Sequence, residues 1–140
     1  MKSILVFGDS LVWGRNASQK SRHCFVDRWP NILAATLQDV TVWEAGLGGR
    51  TTDLEFEDKP GRNGLTYLPV ALQQAAPLDL VILALGTNDP FALAGRKPQD
   101  TANAMRTLIS TVRDLPLATG SSVPNTCLLY TSDAADELRS

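Results

Sequence analysis

Two almost wholly apolar runs, each stopped by a glycine, constrain the fold of this chain most strongly. The first covers residues 3–7 and stops at Gly8, and the second covers residues 80–85 and stops at Gly86. A strand with one face in water alternates apolar and polar residues, so an unbroken run indicates a strand that is buried on both faces. Two such strands predict a parallel sheet that helices cover on both sides.

Three helices are expected to alternate with the strands. The first follows Asp27, which can serve as its N-cap. The second covers residues 65–75, with Pro69 near its start or at a kink, and the third begins around Pro98. With a shorter strand at residues 41–43, the order is β-α-β-α-β-α. This order predicts an open, doubly wound α/β sheet.

Charge and length exclude several classes of protein. The 140 residues include 13 Lys and Arg against 15 Asp and Glu, a net charge of −2, and the basic residues are scattered along the sequence. Because this pattern gives no electrostatic footprint for nucleic acid or an anionic membrane, we expect neither as a partner. The longest apolar run, residues 80–85, is far shorter than the roughly 20 residues that cross a bilayer. Residues 4–7 are too few for a secretory signal, so we predict a cytoplasmic location.

Metal and cofactor chemistry is not predicted either. Cys24 and Cys127 form no C-x-x-C motif, and the single histidine, His23, cannot complete a Cys/His zinc set. The sequence contains neither G-x-G-x-x-G nor G-x-x-x-x-G-K-[ST], the glycine-rich loops that bind dinucleotides and nucleoside triphosphates. We therefore expect no metal, no disulfide and no cofactor.

Polar, glycine-rich motifs follow each of the three predicted strands. They are Gly-Asp-Ser-Leu at 8–11, Gly-Leu-Gly-Gly-Arg at 46–50 and Gly-Thr-Asn-Asp at 86–89. Ligands of an open parallel sheet bind beyond the carboxyl ends of the strands, so these motifs are expected to meet at one site. The long polar loop at residues 53–64 is expected to form a wall of that site.

The three motifs together favour acyl-transfer chemistry. Ser10 offers a hydroxyl nucleophile, Gly49 an unobstructed backbone N–H, and Asn88 a neutral amide donor. Donors aimed at one point form an oxyanion hole. Each residue alone could instead cap a helix or shape a turn. A non-catalytic α/β module, in which Ser10 and Asn88 hold a small ligand, therefore stays open as the alternative.

At this point the sequence resembles the SGNH hydrolase superfamily, also called GDSL esterases and lipases. The resemblance is carried by Phe-Gly-Asp-Ser-Leu-Val-Trp-Gly at 7–14, by residues 44–52 and by residues 77–89, and it indicates the arylesterase/acyltransferase branch. It implies a flavodoxin-like α/β fold that lacks its C-terminal strands and helices. The implied activity is hydrolysis of short-chain acyl esters, or acyl transfer, through an acyl-Ser10 intermediate.

The resemblance also assigns roles to residues. Ser10 matches the nucleophile and contributes its own N–H, while Gly49 and Asn88 match the other oxyanion donors. Asp9 belongs to the motif and is expected to shape the turn. The substrate-binding residues implied by position are Asp9, Leu11, Trp13 and Thr87. The implied partner is a small-molecule ester, and the complete protein could form a homo-oligomer.

The chain departs from the family at its C-terminal part, where an Asp-x-x-His block would supply the catalytic base. No histidine follows Asp133 or Asp136, and His23 lies in the loop after the first strand. A serine without a base is a weak nucleophile at neutral pH, so we expect this chain to have little esterase activity.

The last part of the chain shows no pattern of alternating strands and helices. Residues 126–137 resemble a tail of translated adapter sequence, and residues after about 124 are expected to be non-native. We predict that residues 1–117 form a partial family domain and that residues 118–140 are a non-family tail, either artefactual or disordered. The third strand would then be left with an open edge.

Overall fold

A computed structural model describes residues 1–117 and 122–129 of the chain. A short 3-10 turn, Phe25–Asp27, precedes the second helix. In chain order the strands and helices are β1 (Lys2–Gly8), α1 (Ser10–Trp13), β2 (Arg15–Asn16), β3 (Ser21–Arg22), α2 (Trp29–Thr36), β4 (Val40–Gly46), α3 (Gly64–Ala75), β5 (Leu80–Ala84), α4 (Asp89–Ala92), α5 (Pro98–Asp114) and β6 (Asn125–Leu128). Within the described ranges, no helix is both long and apolar enough to span a membrane.

The main sheet is four-stranded and parallel, in the order β4-β1-β5-β6. The register places Gly8, at the end of β1, beside Gly46 of β4 and Ala84 of β5. The carboxyl ends of three strands therefore lie side by side, and the loops that leave them start from neighbouring points. This register confirms the predicted α/β sheet and brings its three motifs to one edge.

Helices cover both faces of β1, as its unbroken apolar run predicts. Leu5 and Phe7 pack into one buried cluster with Leu68 of α3 and Leu108 of α5. Ile4, Val6 and Ile82 pack into a second cluster on the other face, against Val12 of α1 and the partly buried Trp29 and Leu33 of α2. Alternate side chains of β1 thus pack into cores on opposite faces of the sheet, which explains why residues 4–7 are all apolar instead of alternating with polar residues.

The α2 helix begins one residue later than its predicted N-cap would place it. Asp27 belongs to the preceding 3-10 turn, and the N-cap position is held by Arg28, whose carbonyl accepts bonds from Asn31 and Ile32. Asp27 was therefore the wrong cap. The α3 helix has a side-chain cap, since Asn63 accepts a bond from the N–H of Leu65 at 3.0 Å.

A fourth strand corrects the expectation that β5 is left with an open edge. Residues 125–128 form β6, which pairs in parallel with residues 80–83. The segment Asn-Thr-Cys-Leu has neither an apolar run nor a clear alternation, so its sequence alone gave no strand signal. Residues 118–121 and 130–140 of the predicted tail lie outside the described residues, and the boundary at residue 117 stays a prediction.

Candidate active site

One pocket of about 240 Å³ lies at the carboxyl edge of the sheet. Its lining residues are Ser10, Trp13, Arg15, Gly48, Gly49, Lys59, Arg62 and Asn88. The structure therefore brings the three predicted catalytic residues, Ser10, Gly49 and Asn88, around a single small volume. Each comes from the loop or helix that follows a different strand. Their chemical roles stay predictions at this point.

The first turn of α1 fixes the position of Ser10. Asp9 is the N-cap, and its Oδ1 accepts a bond from the N–H of Leu11 at 3.1 Å. The carbonyl oxygen of Asp9 accepts from Val12 at 3.1 Å and from Trp13 at 2.9 Å. Ser10 is thus the first helical residue after β1, half-buried at the pocket wall.

Asp9 acts on the turn rather than on the pocket. The residue is buried, and its Oδ2 has no hydrogen-bond partner among the residues that the structure describes. Burial raises the pKa of the Asp9 carboxyl, and the Leu11 hydrogen bond and the charge of Arg50 oppose that rise. This placement agrees with the expected turn-shaping role and does not support direct contact with substrate.

The loop after β4 presents Gly49 to the pocket. The N–H of Leu47 donates to the carbonyl of Gly8 at 3.1 Å, and the N–H of Arg50 closes a turn on the carbonyl of Leu47 at 3.1 Å. Gly49 has φ +79°, a left-handed backbone conformation that residues other than glycine rarely adopt. The backbone conformation therefore favours glycine at this position.

The amide of Asn88 is oriented by the neighbouring loop. Its Nδ2 donates to the carbonyl oxygen of Arg50 at 3.1 Å. An amide nitrogen carries two hydrogens, so the second N–H can serve a ligand in the pocket. The bond links the third motif to the second, because the acceptor lies next to Gly49.

Buried hydrogen bonds to Asp89 stabilise the positions of the Asn88 and Gly49 loops, a role that was not predicted from the sequence. The side chain is fully buried and accepts bonds from the N–H of Thr52 at 2.9 Å and from the hydroxyls of Thr52 and Thr101 at 2.5 and 2.7 Å. Its cationic neighbour is Arg96, whose Nη2 lies 3.6 Å from Asp89 Oδ2. These contacts join the loop of Asn88 to the loop of Gly49 and to α5.

Arg50 joins the ends of β1 and β4. Its guanidinium donates to the carbonyl oxygens of Ala45 at 2.8 Å and Gly8 at 3.3 Å, and lies 4.2 Å from the ring centre of Phe7. Burial, with the nearby charge of Arg62, lowers the pKa of Arg50 to about 10. Arg50 therefore remains a cation at neutral pH, held in a largely dry position.

The remaining predicted site residues divide into two groups. Trp13 lines the pocket, as expected. Among the described residues, the lining does not include Leu11, which is exposed, or Thr87. That Leu11 and Thr87 lie beside a bound acyl group therefore stays a prediction. His23 is exposed and does not line the pocket either.

Three cations on the pocket wall were not singled out from the sequence. Lys59 and Arg62 come from the long polar loop that was expected to wall the site, and Arg15 comes from β2. The guanidinium of Arg62 is held by the carbonyl oxygens of Gly48 at 2.9 Å and Pro60 at 2.8 Å. The only available signal was the length and polarity of that loop.

Comparison with known proteins places this geometry in a family. The model of the GDSL-like lipase/acylhydrolase family matches residues 6–139. A comparison with curated proteins gives no significant match.

Solved structures give close matches. A carbohydrate acetylesterase family member from Sinorhizobium meliloti is 34% identical with a TM-score of 0.85, over 96% of this chain and 68% of that one. A carbohydrate acetylesterase from the same organism is 38% identical with a TM-score of 0.83, over 91% and 63%. The native aryl esterase of M. smegmatis is 38% identical with a TM-score of 0.80, over 93% and 63%.

This chain spans between 63% and 68% of the length of those three proteins. Its parallel sheet with covering helices matches their fold over nearly all the residues that it contains. The resemblance carried by the three motifs is thereby confirmed: the chain belongs to the GDSL-like lipase/acylhydrolase family.

Proposed function

We propose that this chain forms the nucleophile-bearing part of a serine esterase that acts on short-chain acyl esters. The observation that carries the proposal is the meeting of Ser10, Gly49 and Asn88 around one pocket. Matched structures described as acetylesterases and an aryl esterase support the same chemistry.

The proposed reaction has two steps. The Ser10 hydroxyl oxygen attacks the ester carbonyl carbon, a base takes the hydroxyl proton, and the carbonyl oxygen becomes an oxyanion. The intermediate then collapses, the alcohol leaves with a proton, and the acyl group stays on Ser10. Water attacks the acyl-serine in the second step and releases the acid; another alcohol in place of water would give acyl transfer.

The oxyanion would accept hydrogen bonds from the N–H groups of Ser10 and Gly49 and from the free N–H of Asn88. The loss of one such donor in comparable sites costs about 3 kcal/mol of transition-state stabilisation. The bond from Asn88 to the Arg50 carbonyl supports this role, since it fixes the amide before substrate arrives. Fixed donors need no reorganisation when the charge develops.

The size of the pocket supports short acyl groups. Sites for drug-sized ligands have volumes of roughly 300–1,000 Å³, whereas this pocket, which is partly open to solvent, has a volume of about 240 Å³. This volume favours a short acyl group.

The base is the missing part of the proposed mechanism. The sequence contains one histidine, His23, which is exposed and is bonded through its backbone N–H to the Gly14 carbonyl at 2.7 Å. We propose that a histidine outside these 140 residues deprotonates Ser10 in the active enzyme. The 140-residue chain alone is then expected to hydrolyse p-nitrophenyl acetate no faster than its Ser10→Ala variant.

A fluorophosphonate probe tests the proposal directly. The chain is expressed with its native continuation, treated with the probe, and digested for mass spectrometry of the labelled peptide. We expect one adduct, on Ser10, that disappears in Ser10→Ala and persists in Ser21→Ala, which removes an exposed hydroxyl outside the pocket lining. A protein that binds small esters but is never labelled at Ser10 would instead support the non-catalytic binding module.

A further inference from the structure

The charge of the pocket wall points to the kind of ester that enters it. Three of the lining side chains are cations, Arg15, Lys59 and Arg62, and no carboxylate is among the lining residues that the structure describes. The whole chain has a net charge of −2. The fold therefore gathers positive charge at one place on a chain that is slightly negative overall.

These cations are not used in ion pairs within the described part of the chain. The ion pairs found there join other residues: Lys2–Asp79, Arg22–Glu44, Arg28–Glu44, Arg96–Asp53, Arg96–Asp89 and Arg113–Asp114. Lys59 lies 4.7 Å above the Phe56 ring, and Arg62 binds backbone carbonyls. Neither kind of contact neutralises a positive charge, so the three side chains bring a net positive charge to the pocket lining.

Two of the cations lie against the predicted oxyanion donor. A Cβ built on Gly49 would be 3.3 Å from Cδ and 3.7 Å from Nζ of Lys59, and 3.6 Å from Cγ of Arg62. The charge of Arg62 also helps to lower the pKa of buried Arg50, in agreement with positive charge on this side of the loop. A ligand that reaches Gly49 thus comes within a few ångströms of at least one cationic side chain.

We propose that the pocket selects esters that carry a carboxylate close to the scissile carbonyl, with Lys59 and Arg15 as the residues that recognise it. This inference rests on the proposed esterase function, because it assumes that the scissile carbonyl sits between Ser10 and Gly49. Arg62, which is fixed by Gly48 and Pro60, shapes the wall and adds to its potential. The carboxylate belongs to the acyl half or to the alcohol half of the ester, and the experiment separates the two.

A role of the same cations in binding only the oxyanion makes a different prediction. Every ester develops the same oxyanion, so removal of a cation that stabilises it would lower the turnover of neutral and anionic esters equally. A cation that binds a substrate carboxylate affects the anionic ester alone. The matched comparison of neutral and charged ligands therefore decides between the two roles.

Binding to the 140-residue chain tests the inference without catalysis. Succinamate and succinamide have the same carbon chain and amide carbonyl, and they differ by one carboxylate. In calorimetric titrations at low salt we expect succinamate to bind about tenfold more tightly, since a tenfold change corresponds to about 1.4 kcal/mol. We expect high salt to remove most of that preference, because salt screens exposed charges.

Charge-removing variants identify the residues. Lys59→Gln and Arg15→Gln are each expected to lower succinamate affinity severalfold and to leave succinamide affinity unchanged. Arg106→Gln, which removes an exposed cation of α5 that is not part of the pocket lining, is the matched control and should change neither. Equal affinity for the two ligands, absence of binding by both, or a preference that survives in a protein carrying both Lys59→Gln and Arg15→Gln would overturn the inference.

Kinetics of the chain with its native continuation separate the two halves of the ester. Monoethyl succinate has its carboxylate on the acyl half, and acetoxyacetate has it on the alcohol half; ethyl butyrate is the neutral reference. We expect kcat/KM for one of the anionic esters to exceed that for ethyl butyrate, and Lys59→Gln to remove the excess. Labelling of Ser10 without an anionic preference would refute this inference alone, whereas anion binding without labelling would refute the esterase proposal and, with it, the assignment of the bound carboxylate to an ester substrate.

Discussion

Replacement of Gly46 by alanine tests whether the end of β4 fixes the nucleophile helix. A Cβ at this position would lie against the backbone N of Trp13, 2.6 Å from the Val12 carbonyl carbon and 2.7 Å from the Trp13 Cα. Carbon atoms in favourable contact are about 3.5–4.0 Å apart, so α1 or β4 must shift by roughly 1 Å. The atoms in the way belong to the backbone and cannot rotate aside.

The expected cost follows from this geometry. Overpacking in a dense interior costs about 1–3 kcal/mol, and a buried methyl group recovers less than about 1 kcal/mol. Because the clash is with backbone, we expect Gly46→Ala to lower the free energy of unfolding by about 3 kcal/mol. That is a large share of the roughly 5–15 kcal/mol that a domain has.

Urea denaturation of the 140-residue chain measures the effect, with Gly48→Ala as the matched control. A Cβ at Gly48 meets no atom within 4 Å, and its φ lies outside the left-handed range, so its stability should change by less than about 0.5 kcal/mol. A Gly46→Ala protein as stable as the parent would refute the claim that α1 is clamped against β4. Equal losses in both variants would show that the loop is sensitive to any alanine.

Three further outcomes are expected. Asp9→Asn should gain stability relative to the parent protein as the pH rises above 3.8. Burial raises the pKa of the Asp9 carboxyl in the folded state, so the parent loses stability as that carboxyl ionises, whereas the asparagine does not ionise. A difference in urea midpoints that does not change with pH would contradict this prediction. Asp89→Ala should lower the free energy of unfolding by about 3–5 kcal/mol, because it removes a buried acceptor from Arg96 and from two threonine hydroxyls. A loss below about 1 kcal/mol in calorimetry would refute the role of Asp89 in holding the two loops together. His23→Ala should leave fluorophosphonate labelling of Ser10 unchanged, and slower labelling would identify an improvised base.

The parts of the fold that could be predicted from sequence are those with a local signal. The buried strand β1 is recognisable in the sequence as an apolar run, and its side chains pack into both cores as predicted. The meeting of Ser10, Gly49 and Asn88 also followed from sequence, because parallel strands present their carboxyl ends at one edge of the sheet. In both cases a short stretch of chain carries the whole signal.

The errors concern features that depend on distant contacts. The β6 strand exists through pairing with β5, and its own four residues carry no pattern. The cations of the pocket are far apart in sequence, where they look scattered, and only the fold gathers Arg15 with Lys59 and Arg62.

Arg50 shows how closely the interior and the site are joined. Its side chain bridges the ends of two strands over the Phe7 ring, and its carbonyl oxygen holds the amide of Asn88. A lysine there would keep the charge but lose the planar guanidinium, which stacks on the Phe7 ring while its Nη1 donates to two carbonyl oxygens. Loss of the Arg50 guanidinium would therefore disturb the packing at the edge of the sheet and the loop that orients the Asn88 amide at the same time.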